Sequence, residues 1–220
     1  MKKLKLTEVE IAKRIAREID VGMCVNIGAG MPFEVSQQVE DDCFCLFHIE
    51  HGILGVGKVA SEEEADNDLM GLGRRYLKAA LGASCFPSVE SFVMLRGGHI
   101  DLSILGAYQV SSKGDIANWR IPGKVPVVGG AMDIVGNVPS LFVMMRHVTR
   151  SGMPKILEEC TFPPTGYGVV TKIFTDLAVI DVAAEGLVLT EVAPGFSLEE
   201  VQELTDAPLL TNGNVSEIIV

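Results

Sequence analysis

The side chain best placed for covalent chemistry is Glu50. It closes the apolar stretch Leu46-Phe47-His48-Ile49 and stands two positions before Gly52, where the backbone can turn sharply. A carboxylate at such a strand end loses water on one side, so it is either a paired structural acid or a poised reactive one. Two glycine turns could serve it. Gly28-Ala29-Gly30-Met31-Pro32 lets the backbone approach a ligand closely and leads into a helix start. It lacks the third glycine of a dinucleotide fingerprint, and no Gly-Lys-Ser/Thr follows, so a tight strand-to-helix turn explains the same residues. Gly129-Gly130-Ala131 offers backbone N–H groups in a second flexible turn, suited to an oxyanion or a close-lying cofactor. Cys43, Cys45, His48 and His51 are close enough in sequence to raise the question of a metal. Strand alternation answers it. Period two places Cys43, Cys45, Phe47 and Ile49 on one face and His48 with Glu50 on the other, so thiols and first imidazole diverge and no metal site is expected.

The elements that must position these residues follow from periodicity and punctuation. Thr7 with Glu10 is a capping box, and Ile11, Ile15 and Ile19 recur every four residues, which predicts an amphipathic helix over Thr7–Val21 ending at Gly22. Met23–Ile27 reads as a strand, Phe33–Glu40 as a short helix after Pro32, and Asp42–Ile49 as a second strand followed by the glycine-punctuated Ile53–Gly57. Ser61–Asp68 is a solvated acidic loop or a helix start capped by Ser61, and Arg74, Arg75 and Lys78 read as a solvated basic helix face. Ser88–Leu95 is helical and stops at Gly97-Gly98. Asp101–Leu105, Ala107–Val110, Leu141–Met145, Leu177–Val182 and Leu187–Val192 are strands, with a turn at Gly114-Asp115. Ser197–Thr205 closes the chain as a helix capped by Ser197 and Glu200. Strand, glycine turn and helix in that order define an α/β protein, whose ligands sit at the carboxyl ends of the strands. One α/β domain over residues 1–220 is expected.

Composition sets the outer limits. With 48% hydrophobic residues over 220 positions, the chain excludes the disordered class and can bury about 70% of the surface its unfolded form exposes. No apolar run approaches a membrane span, and Met1–Asp20 carries both signs of charge, unlike a secretory leader. A net charge of −11 disfavours nucleic acid and anionic membranes as partners. Five cysteines, an odd number, read as a reduced pool, and a cytoplasmic location is expected.

Several strings then resemble one family. Arg96-Gly97-Gly98-His99-Ile100-Asp101, Gly106-Ala107-Tyr108-Gln109-Val110, Gly114-Asp115-Ile116-Ala117-Asn118-Trp119 and Ile121-Pro122-Gly123-Lys124 resemble the central block of the β subunit of family I 3-oxoacid CoA-transferases. Gly129-Gly130-Ala131-Met132-Asp133, Pro154-Lys155-Ile156-Leu157, Thr175-Asp176-Leu177-Ala178-Val179 and Glu191-Val192-Ala193-Pro194-Gly195 continue the match in the same order, up to about Pro208. The resemblance implies a three-layer α/β fold with a central, mostly parallel sheet and glycine-rich strand-to-helix turns. It also implies an α subunit as partner and transfer of CoA from an acyl-CoA to a free carboxylic acid through a glutamyl–CoA thioester. No tightly bound cofactor is implied, coenzyme A entering as a thioester substrate.

The family's reactive glutamate lies in a Ser-Glu-Asn-Gly motif before a Leu-Gly pair. Ile49-Glu50-His51-Gly52-Ile53-Leu54-Gly55 aligns it with Glu50 and puts His51 in the place of the asparagine donor, with Ile49 replacing the serine. The family's glycine loop before a proline matches Gly28, Gly30 and Pro32, and its turn near bound CoA matches Gly129, Gly130 and Ala131. Imidazole can donate as an amide does, but it is bulkier and titrates near neutrality. The altered flank leaves a subfamily variant with unchanged chemistry, a shifted substrate range or pH optimum, and a lost activity all open. Two alternatives to the transferase stand beside it: an acyl-CoA hydrolase on the same scaffold, in which water resolves the enzyme intermediate, and a catalytically silent assembly subunit, suggested by the changed flank of Glu50.

Overall fold

The structure, a computed structural model, describes residues 3–40, 43–127 and 129–219. In chain order its first half comprises α1 (Glu8–Ala16), β1 (Cys24–Ile27), α2 (Phe33–Gln38), β2 (Leu46–Ile49), β3 (Ile53–Val59), β4 (Leu77–Cys85) and α3 (Ser88–Arg96). The middle carries β5 (Leu102–Leu105), β6 (Gln109–Ser111), β7 (Ile116–Ala117), α4 (Ala131–Ile134), β8 (Ser140–Met144) and β9 (Ile156–Leu157). It ends with β10 (Lys172–Phe174), β11 (Ala178–Ala183), β12 (Gly186–Val192), α5 (Leu198–Glu203), β13 (Leu209–Leu210) and β14 (Ser216–Glu217).

Eleven strands form the main sheet, ordered β13-β12-β11-β10-β8-β5-β1-β2-β3-β4, with β14 also paired to β12. Its centre, β10-β8-β5-β1-β2, is parallel throughout, and antiparallel pairs flank it on both sides. A small second sheet runs β7-β6-β9. Parallel strands need both faces covered, and both are. On one face Ile11 and Ile15 of α1 and Phe33 and Val35 of α2 pack on Val25, Ile27, Phe47, Ile49, Leu102 and Ile104. On the other, Leu95, Ile134 and Val201 from α3, α4 and α5 pack on Leu105, Leu141, Val143, Ile173 and Ile180. The result is the three-layer α/β arrangement expected from the sequence.

Three local readings are corrected. The first helix stops at Ala16, not Val21. Its capping box is present, Thr7 Oγ1 accepting from Glu10 N and the Glu10 carboxylate accepting from Thr7 N. At the other end Glu18 N and Ile19 N turn back three residues, to Ile15 O and Ala16 O, which tightens and ends the last turn. Ile19 is buried from that turn rather than from a helix face. The basic trio is also not a helix face. Arg74 closes a one-turn 3-10 segment at a positive φ of 60°, Arg75 lies over the Phe33 ring, and Lys78 on β4 pairs with Glu64 at 2.8 Å.

The strand expected from Asp42 begins at Leu46, because Phe44 takes a φ of 50° and breaks the extended run; Asp42 itself lies outside the described residues. Its phase is as expected, with Phe47 and Ile49 in one core and Cys43 and Cys45 packed against that core. Ser61–Asp68 forms exposed turns, with Ser61 N and Oγ both donating to the Glu64 carboxylate.

Candidate active site

The carboxyl ends of β1, β2, β5 and β8 open into one cavity of about 440 Å³. Gly28 enters it directly after β1, Glu50 directly after β2, Leu105 at the end of β5, and Met144 and Met145 at the end of β8. Pro32 lines the same wall. The loop running into α4 brings Gly129, Gly130 and Ala131 to the opposite side. Sequence positions about eighty residues apart therefore meet around a single carboxylate. The cavity lies where the ligand of a parallel sheet is expected.

Contact between the two halves of the site is close. A Cβ added at Gly130 would lie 2.5 Å from Glu50 Oε2, 2.8 Å from its Cδ and 3.0 Å from the edge of the Phe92 ring. No side chain fits there without moving the carboxylate. Gly52 fixes the turn on the other side of Glu50: its φ is 107°, and a Cβ would fall 1.9 Å from the Phe86 carbonyl oxygen. Gly129, Gly130 and Ala131 donate no backbone hydrogen bond among the described residues. Gly28 N, by contrast, is spent on Ile104 O at 2.9 Å.

Two of the sequence-derived site residues stand apart. His51 is exposed, does not line the cavity, and makes no hydrogen bond to Glu50 among the described residues. Gly30, at φ 84°, is also outside the lining. Glu50 and His51 are the two central residues of the turn between β2 and β3, closed by Gly52 N donating to Ile49 O at 3.1 Å, and this turn brings Glu50 to the cavity while leaving His51 at the surface.

The cavity also contains residues that sequence reasoning did not assign to a site. Tyr108, Asn118 and Trp119 line it, as do Arg146 and Lys155. Lys155 Nζ donates to Ala107 O at 2.8 Å. Burial pushes its pKa down to about 8, against the pull of Asp176. Arg146 turns its head outward, donating to Leu6 O at 3.1 Å and to Glu8 at 3.4 Å. The signal for several of these was present in the strings Ala117-Asn118-Trp119 and Pro154-Lys155-Ile156, which marked a resemblance without giving the residues a role. No cluster of three or more His, Cys, Asp or Glu side chains suited to a metal occurs among the described residues.

Beneath Glu50 lies a polar layer. Asn26 on β1 is the register partner of both His48 on β2 and Ser103 on β5. Asn26 Nδ2 donates to Ser103 Oγ at 2.8 Å, and Asn26 Oδ1 lies 3.0 Å from His48 Nδ1. His48 Nε2 lies 2.9 Å from Ser91 Oγ on α3. All four are buried, and burial pushes the His48 pKa down to about 4.

Comparison with known proteins gives the family. The coenzyme A transferase family model matches residues 9–204, so the chain belongs to the coenzyme A transferase family and is a transferase. It is 42% identical over 208 residues to the B-type subunit of the 3-oxoadipate CoA-transferase of Pseudomonas putida, covering 94% of this chain and 97% of that one. It is 43% identical over 213 residues to the B-type subunit of a probable succinyl-CoA:3-ketoacid coenzyme A transferase of Bacillus subtilis, covering 96% and 99%. Among solved structures, an acyl-CoA transferase of Escherichia coli O157:H7, in a thioester complex with CoA, shares the fold with a TM-score of 0.76 at 18% identity. The match takes in all of this chain and 44% of the other, so this chain spans less than half of that polypeptide.

Proposed function

We propose that this chain is the β-type subunit of a two-subunit CoA-transferase. It would move CoA from an acyl-CoA to a free carboxylic acid of the 3-oxoacid or short-chain class, through a thioester on Glu50. The observation that carries the reading is the packing of Glu50 against Gly130 at the carboxyl ends of four parallel strands. The α-type partner and the acid class rest on the relatives named above, which are B-type subunits of transferases for 3-oxoadipate or for succinyl-CoA and 3-ketoacids. A cytoplasmic location fits acyl-CoA substrates, and no described helix is long and apolar enough to cross a membrane.

The chemistry needs one nucleophile and a place for negative charge. A Glu50 carboxylate oxygen attacks the thioester carbonyl, the C–S bond breaks, and CoA leaves as thiolate from an acyl–glutamyl anhydride. The thiolate then attacks the Glu50 carbonyl carbon; the bond from that carbon to the bridging oxygen breaks, and the first acid leaves as carboxylate. A second carboxylate runs both steps in reverse. Protons balance without a general base, because every nucleophile and leaving group is an anion. Each tetrahedral intermediate carries an oxyanion, for which the unspent N–H groups of Gly129, Gly130 and Ala131 are donors on the cavity wall, at about 3 kcal/mol each. No metal or redox group takes part in this scheme, since one thioester is exchanged for another. Gly28 supplies no donor, its N–H being engaged with Ile104 O, and its missing Cβ makes room for Leu105 beside it.

The test is acceptor dependence. The chain co-purified with its α-type subunit should turn over acyl-CoA repeatedly only when a second acid is supplied, and should form that acid's CoA ester. Consumption beyond one equivalent per site without an acceptor identifies a hydrolase, and no consumption with any acyl-CoA identifies a silent subunit.

A further inference from the structure

Period two along β1, β2 and β5 places each member of the buried polar row one step beneath a cavity residue: Asn26 under Gly28, His48 under Glu50, and Ser103 under Leu105. The row is in register across the three strands and is closed on the helix side by Ser91 of α3. The Ser91 hydroxyl lies 3.4 Å from the carbonyl oxygen of Ile49, the residue before Glu50. The next residue on α3, Phe92, reaches the Gly130 wall of the cavity. Phe86 stacks on the His48 ring, 6.4 Å between centroids and 13° between planes, and Phe86 N donates to Gly52 O beyond Glu50. The imidazole therefore meets Ser91, the helix neighbour of Phe92, on one side and Phe86, the hydrogen-bond partner of Gly52, on the other.

Hydrogen-bond direction along the row is set by the amide. With Asn26 Nδ2 donating to Ser103, Oδ1 accepts from His48 Nδ1–H, and the bare Nε2 accepts from the Ser91 hydroxyl. The two amide atoms of Asn26 and the two ring nitrogens of His48 are thus each satisfied by one neighbour of fixed position. An apolar layer would fill the same volume but would leave the end of β2 free to shift against β1 and α3.

We propose that His48, held by Asn26, Ser91 and Ser103, is the positioning residue for Glu50, locking the end of β2 so that its carboxylate meets the thioester at attacking distance. The inference rests on the reading of Glu50 as nucleophile. A neutral ring suits the task, and burial keeps His48 neutral well below physiological pH.

His48→Gln retains one donor and one acceptor, whereas His48→Leu fills the space and removes both. The enzyme assembled with its α-type subunit is mixed with succinyl-CoA or acetoacetyl-CoA in a single turnover, and CoA attachment to Glu50 is followed by mass. His48→Leu should slow attachment about 10- to 100-fold with KM for the acyl-CoA nearly unchanged, because displacement of a reacting atom costs rate before binding. His48→Gln should recover most of it. Full-rate attachment in His48→Leu, or an equally slow but folded His48→Gln, overturns the inference while leaving Glu50 as nucleophile. A wild-type enzyme that forms no thioester at Glu50 overturns the catalytic reading and this inference with it. Should His48→Leu not fold, nitrogen NMR of the wild-type imidazole decides: a neutral ring with no titration above pH 5 is expected, and titration near the ordinary histidine value contradicts the locked chain.

Discussion

At the scale of single residues, the site is defined by what Gly130 lacks. Its missing Cβ is the space that the Glu50 carboxylate and the Phe92 edge occupy. Gly130→Ala should therefore lower the rate of CoA transfer by about 100-fold, the cost of moving a reacting group by roughly 1 Å, with the thermal midpoint little changed. Steady-state exchange and a melting curve on the same sample check this, and a wild-type rate would show that the carboxylate has room to work elsewhere. Glu50 was legible in the sequence because a lone acid at an apolar strand end before a glycine is unusual. The fate of His51 was not: its position beside the nucleophile in sequence says nothing of direction, and the side chain is exposed outside the cavity. Lys155 was legible only as part of a string. What makes it notable is burial against the Ala107 carbonyl in a cavity wall, which depends on the fold.

Among the elements, strand phase was the most readable feature. Phe47 and Ile49 face one core and His48 with Glu50 the other, as alternation requires. The edge strand β4 was missed for a physical reason: it is exposed along most of its length, with Leu81 fully exposed, so no alternation marks it. The polar row was equally hidden, because Asn26, His48, Ser91 and Ser103 are adjacent only through strand register. That row carries a pH signature, shared with a second buried histidine. Burial pushes His48 and His147 each down to about 4, the latter despite the nearby Asp176. An unfolded histidine binds a proton near pH 6.5, which the folded ring refuses, so stability is complete above that value and is lost as pH falls toward 4. Stability in urea should accordingly be lower at pH 5 than at pH 7.5 by about 2 kcal/mol for each histidine, in a window above the ordinary carboxylate range. His48→Gln should remove about half of that slope. A flat profile between these pH values would contradict the neutral, sealed rings.

For the molecule as a whole, the parallel centre of the sheet explains why one cavity collects residues from β1, β2, β5 and β8. Several apolar side chains near α3 and α4 are exposed. Val125, Val127 and Met132 are more than half exposed, as are Val89 and Val93 one helical turn apart on α3. Exposed apolar side chains of this size suit an interaction face, and the α-type subunit is the partner that the proposed function requires. Light scattering should find the active species to be a hetero-oligomer, and Val93→Asp should weaken co-purification of the two subunits without altering the fold of this one. A chain that is monomeric and fully active alone would overturn the two-subunit account. The α/β class was legible from element order and the three-layer arrangement from the family resemblance, but the cavity's contents followed only once the sheet order was known.

The central claim is a bond between Glu50 and CoA. Incubating the assembled enzyme with acyl-CoA and no acceptor acid should leave CoA attached to this chain, because the second half-reaction has no substrate. Peptide mass spectrometry should map it to the peptide containing Glu50, and borohydride should reduce the thioester there and inactivate the enzyme. Glu50→Asp withdraws the carboxylate by one methylene and Glu50→Gln removes the nucleophile, so neither should label, whereas changes at the exposed acids Glu62 and Glu63 should leave labelling intact. CoA found on Cys43 or Cys45 instead, or an active enzyme that carries none, would contradict the account.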